Sequence, residues 1–266
     1  MHPVERLRHV ARATGYPQDV IVAETARALA SCAGDPQGLV TACRRMVQRQ
    51  PGSGPLVWLC ARVLCAGDPR AEIRAALEEF EGDRTVVELA HALPDDASVV
   101  VLGWPETIGA ALPRRGDVEV LVVDVHREGG GLVSQLVDLD VDAVDVPLAG
   151  LGAAVAESDL VLLEAAALAP SGLLGVAGSL AAASVARHRS IPVWAVAGVG
   201  RLLPERMWGP VRDRALAGDP WDADDDMVPL DLVDRIVGPT GALPVADALR
   251  RTDCPVAPEL FKGDVL

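Results

Sequence analysis

Lysine is almost missing from this chain: among 24 basic side chains the only lysine is Lys262. That excludes the phosphate-binding loop of pattern Gly-x4-Gly-Lys-Ser/Thr, which needs a lysine at its helix start. Aromatic residues are also scarce, at 3%. With half the residues hydrophobic, the core has to be built from Ala, Val and Leu, as in parallel sheets covered by helices. Positive charge is in deficit. The formal net charge of −14 excludes a general nucleic-acid or anionic-membrane surface. The five cysteines form no Cys-x2-Cys pair and read as reduced, core-filling side chains of a cytoplasmic protein. The five histidines show no ligand spacing, so neither zinc nor another metal is expected, and no cofactor. The acidic run "DADDDM" lacks the glycine and distal glutamate of a calcium loop. No apolar run has the length of a membrane span; "DLVLLEAAALAPSGLLGVAGSLAAASVA" is broken by Pro170 and its glycines. "MHPVERLRHVARATG" has no apolar core of a signal peptide.

What is present falls into two halves. Segments such as "PVERLRHVARAT", "DVIVAETARALASC", "PQGLVTACRRMVQRQ" and "GPLVWLCARVLC" space their apolar residues by three and four, which predicts helices. Asp35 and Asp68, each followed by proline, stand where helix caps belong. A helical domain over residues 1–94 follows. From residue 95 to 266 the pattern changes to short apolar strands, "ASVVVLG", "VEVLVVDV", "DAVDVPL", "SDLVLLEA" and "IPVWAVAG", separated by helix-like stretches. That alternation predicts an α/β domain with a Rossmann-like parallel sheet. Ligands of such sheets bind beyond the carboxyl ends of the strands.

Gly172, Gly175 and Gly178 in "APSGLLGVAGSLAAA" are spaced Gly-x2-Gly-x2-Gly. A dinucleotide fingerprint needs Gly-x-Gly-x2-Gly at a short strand-to-helix turn, so this is not one. Gly178-Ser179 does open a helix. Either Ser179 caps it among closely packed small residues, or its free N–H groups hold a phosphate or carboxylate.

The stretch "DLVLLEAAALAPSGLLGVAGSLAAASVARHRSIPVWAVAG" resembles a pattern of an apolar strand, Gly-Ala-Asp, a turn, Asn-Lys-Ile-Gly-Thr and a helix. That pattern belongs to the regulatory-subunit family of eukaryotic initiation factor 2B. The family includes methylthioribose-1-phosphate isomerase and archaeal ribose-1,5-bisphosphate isomerase. "VVVLGWPETIGAAL", "VLVVDVHREGGGLVSQL" and "DDMVPLDLVDRIVGPTGALP" are similar to three further segments, in the same order. The resemblance spans roughly Ser98 to Pro244. It implies the fold of sugar-phosphate isomerases and CoA transferases, and a homodimer associated through the sheet domain.

The departures bear on function. In the isomerases of that family a cysteine after the first strand and the aspartate of Gly-Ala-Asp are the implied acid–base pair. Here those positions read Gly103 and Ala165, and Asn-Lys reads Gly175-Val176. A positioned acid or base is worth roughly 10²–10⁴-fold in rate. Losing both implies a diverged, non-catalytic protein that acts through protein contacts. Gly103, Thr107, Arg127, Gly178, Ser179 and Asp226 fall on family-like positions. They are the candidates for holding a phosphorylated small molecule, a sugar phosphate or a nucleoside monophosphate. The alternative is an aldose-phosphate to ketose-phosphate isomerase with a rebuilt acid–base site, its candidates being Glu164, Asp124 and His126 at strand ends.

Overall fold

The computed structural model describes residues 17–262. The helix expected over "PVERLRHVARAT" lies outside the described residues. Four helices come first: α1 (Gln18–Cys32), α2 (Pro36–Arg49), α3 (Gly54–Cys65) and α4 (Pro69–Glu81). Asp68 caps α4, accepting from Arg70 N–H at 3.0 Å and Ala71 N–H at 3.1 Å. Asp35 occupies the cap position of α2 without a side-chain bond. Helix α3 is buried nearly all round, and α1, α2 and α4 pack on it.

After α5 (Thr85–Ala92) come β1 (Ser98–Leu102), α6 (Glu106–Arg115), β2 (Glu119–Asp124), α7 (Gly129–Asp138), β3 (Asp142–Pro147), α8 (Leu151–Ala156) and β4 (Leu160–Glu164). Next are β5 (Ala167–Ala169), β6 (Gly172–Val176), α9 (Ser179–Arg189), β7 (Val193–Val196) and α10 (Glu205–Ala215). The last elements are β8 (Asp225–Val228), β9 (Arg235–Gly238), β10 (Gly241–Pro244) and α11 (Val245–Leu249).

Seven strands form one sheet in the order β10-β9-β7-β4-β1-β2-β3, parallel except for β10. The strands alternate their apolar residues between two covered faces, as a doubly wound sheet requires. Val99, Val101, Val120 and Val122 pack with Ile108, Leu112, Leu132 and Leu136 of α6 and α7. Val100, Leu102, Val161 and Leu163 are buried on the other face, where α8 and α9 pack. Each such side chain contributes about 1.5–3 kcal/mol by burial.

The chain's internal contacts group it into two units. One holds the residues up to Asp83, Val199–Ala215 and the stretch from Thr252; the other holds Arg84–Gly198 and Leu216–Arg251. These bounds differ from a linear division into residues 1–94 and 95–266. Helix α5 falls in the sheet unit because Leu89 and Ala90 share the buried cluster of Val99 and Val101.

The glycine-rich stretch is not a simple turn. β5 and β6 form an antiparallel hairpin, and β8 adds to β6, with Gly175 opposite Asp226. The acidic run "DADDDM" thus contributes the start of strand β8.

Candidate functional site

The residues singled out from sequence converge on the carboxyl ends of β1, β2 and β4 and on the β6–β8 pair. β1 ends at Leu102, and Gly103 follows with φ of 63°, its N–H donating to Val123 O at 2.9 Å. A Cβ there would meet only Val176 Cγ2, at 3.9 Å. The position therefore has room for a side chain, while its left-handed backbone favours glycine. All five cysteines belong to the helical unit. Burial pushes Cys254 up to about 12 and raises Cys65, whereas Cys60 is raised mainly by its hydrogen bond with Cys43. The sheet unit thus has no thiol to transfer a proton.

Glu164, the last residue of β4, is turned onto the start of α6. Its Oε2 accepts from Thr107 N–H at 2.9 Å and from Ile108 N–H at 3.1 Å. Its Oε1 accepts from the Thr107 hydroxyl at 3.1 Å. Pro105, at the cap position before α6, offers no side-chain hydrogen bond. The carboxylate from 57 residues away supplies it. Free N–H groups and the positive end of the helix dipole are what such an anion satisfies.

Two other helices repeat this arrangement. Asp226 Oδ2 accepts from Gly178 N–H at 2.8 Å and Leu180 N–H at 3.1 Å, at the start of α9. Gly178 has φ of 93°, and a Cβ there would stand 3.2 Å from Leu102 Cδ2. Asp124 Oδ1 accepts from Gly129 N–H at 3.1 Å, the first residue of α7. Neither α7 nor α9 has a side-chain bond from its own cap residue. Ser179 is buried at the first position of α9. Three helix N-termini facing the strand ends therefore already carry a carboxylate from the chain itself.

Arg127 and His126 follow β2 and are exposed, with Arg127 at φ of 63°. Sequence reasoning missed Asp225, which lies close enough to His126 to feel its charge. Burial pushes its carboxyl up to about 6; Asp224 and Asp226 act the same way, and His126 opposes them. The signal for it was the acidic run, once that run is placed as a strand in the second sheet. Trp104 lies over α7, where a Cβ on Gly131 would stand 2.5 Å from its ring. Ala165 is fully buried and donates its N–H to Val196 O at 2.9 Å. Among the described residues no three His, Cys, Asp or Glu side chains are grouped to hold a metal ion.

No protein-family model and no curated protein matches the chain. Solved structures do match, and they share its α/β architecture. The translation initiation factor eIF-2B of Pyrococcus horikoshii superposes with a TM-score of 0.76 over 93% of this chain and 98% of that one, at 14% identity. The eIF2B beta of Chaetomium thermophilum gives 0.73 over 97% and 91%, at 20% identity. A chain of the tetrameric eIF2B-beta2-delta2 complex from the same organism gives 0.76 over 93% and 91%, at 20%. The chain shares the fold of these initiation factor subunits over nearly its whole length. Among the described residues no helix is long and apolar enough to cross a membrane.

Proposed function

We propose that this chain is a diverged, non-catalytic relative of the initiation factor 2B regulatory subunits that acts through protein contacts. One observation carries the reading: Glu164, the carboxylate beside the vacated catalytic position, is held by three donors at the start of α6. A general base needs its oxygens aimed at substrate. This one is aimed at Thr107 and Ile108, and the neighbouring Ala165 has no proton to give. The experiment is incubation of the protein with ribose 1,5-bisphosphate and methylthioribose 1-phosphate, followed by NMR; unchanged substrates are expected.

Binding of a phosphorylated small molecule belongs to the same proposal. Gly178, Ser179, Thr107 and Gly103 are the groups proposed to line the anion's site, and Arg127 is proposed as its countercharge. A phosphate there has to displace Asp226 or Glu164 from backbone donors, which sets a high demand on its affinity. A homodimer and a cytoplasmic location go with this reading. The tetrameric complex that contains the structurally similar Chaetomium chain supports association, and the five unpaired cysteines support a reducing compartment.

One observation favours the isomerase alternative. Asp225, with its carboxyl pushed up to about 6 beside His126, is a group poised to exchange a proton near neutrality. In that reading Asp225 and His126, rather than Glu164, serve as the acid and the base.

A further inference from the structure

The two edges of the seven-stranded sheet are treated differently. At one edge β10 is flanked by α5 and α11. At the other, β3 pairs with β2 on one side, and among the described residues nothing pairs with it on the other. β3 contains no fully buried residue; Asp142, Val144, Asp145 and Pro147 are exposed. An unpaired strand leaves a row of N–H and C=O groups directed outward, a template for another strand.

The surroundings of that edge are apolar as well. Val137 is 54% exposed, Leu139 50%, Val144 49% and Leu148 49%. They account for four of the nine exposed large apolar side chains among the described residues. All four come from one continuous run, the end of α7 through β3 to the turn after it. Single exposed apolar residues are ordinary, whereas a cluster marks a place of contact.

Charge decides the occupant. Asp138, Asp140, Asp142 and Asp145 lie in the same run, and no basic side chain occurs between Arg127 and Arg187. A second copy laid along β3 would bring its own Asp138, Asp140, Asp142 and Asp145 to the same edge with no basic side chain to meet them, and like charges brought together destabilise a strand pair. An extended segment with basic residues alternating with apolar ones meets both features: cations on the face of Asp145, apolar side chains on the opposite face, which carries Val144 and Val146. We infer that the free edge of β3 takes up an extended, basic segment of a different protein as an added strand. The inference rests on the proposal that the chain acts through protein contacts, and it names the surface.

The test uses the full-length protein and a fluorescein-labelled decapeptide alternating arginine and valine. Of two controls, one alternates glutamate with valine and the other is the arginine–valine peptide methylated at every backbone nitrogen; the second keeps the charge but loses every N–H. At low ionic strength the arginine–valine peptide is expected to bind and to slow hydrogen exchange of the β3 amides, Val144 among them. The double variant Asp138→Lys, Asp145→Lys is expected to weaken binding at least tenfold; both side chains are exposed, and hydrogen exchange on the parent keeps the test independent of the variant's folding. Equal binding of the N-methylated peptide, or binding that leaves β3 amide exchange unchanged, overturns the inference. So does sedimentation showing copies of the chain paired through a protected β3. A failure here leaves the non-catalytic reading standing, since that falls only to turnover of a sugar phosphate.

Discussion

Glu164 is the residue on which the chemistry turns. Its carboxylate does for α6 what a capping side chain does in other helices, and charge-assisted bonds of this kind contribute about 1.5–3 kcal/mol. Glu164→Ala is expected to lower unfolding stability by about 1–2 kcal/mol in urea titration. Glu164→Gln retains one acceptor and is expected to lose less. Asp225 works in the opposite sense. Its carboxyl is raised from an ordinary 3.8 to about 6, so between those values the folded chain keeps a proton that the unfolded chain has released. The stability attached to that proton is full below about pH 4 and is lost as pH rises through about 6. Asp225→Asn is expected to be more stable than the parent above pH 6, by on the order of 2 kcal/mol, with the gap closing toward pH 4. Thermal unfolding across that range checks it. The sequence picked out Glu164 and Asp124 as carboxylates at strand ends, and Asp226 as a family-like position. It gave no sign of their partners, since Asp226 and Glu164 reach N–H groups 48 and 57 residues away.

At the scale of elements, carboxylates tie the ends of helices and strands together. Asp124, Glu164 and Asp226 sit on the starts of α7, α6 and α9. At the amino ends of the strands, Asp159 accepts from Ser98 N–H at 2.9 Å and Asp234 from Val193 N–H at 2.8 Å. Removing one such group should expose the anion site that it fills. Asp226→Ala is expected to cost about 1–2 kcal/mol and to leave the start of α9 open. Millimolar phosphate is then expected to raise the melting temperature of the variant and not of the parent. A parent stabilised by phosphate would show that Asp226 yields the site. The five strands read from β-branched and leucine-rich runs all appear in the sheet. The hairpin β5–β6 was not legible, because Ala and Gly dominate "ALAPSGLLGV" and neither favours a strand on its own. Helix α10 was missed for a related reason: Gly209 and Pro210 interrupt its pattern, and packing overrides them.

Across the whole molecule, periodicity carried the architecture and residue identity carried the doubt about catalysis. An aliphatic core, alternating strands and helices, and ordered segments resembling initiation factor 2B subunits all agree with the fold. The vacated cysteine position is legible in sequence as Gly103; why it stays vacant is legible only in its left-handed backbone. Most exposed acidic side chains are a solvated surface, yet at β3 they combine with unpaired backbone and apolar neighbours, a conjunction visible only once the strand order is known. In the proposed reading, carboxylates at the strand ends hold the fold instead of moving protons. Phosphorus NMR of ribose 1,5-bisphosphate and methylthioribose 1-phosphate, held for days with concentrated protein, is the decisive measurement. Spectra identical to those without protein are expected. Conversion to a ketose phosphate by the parent, abolished in a folded Glu164→Gln or Asp225→Asn variant, would overturn the reading.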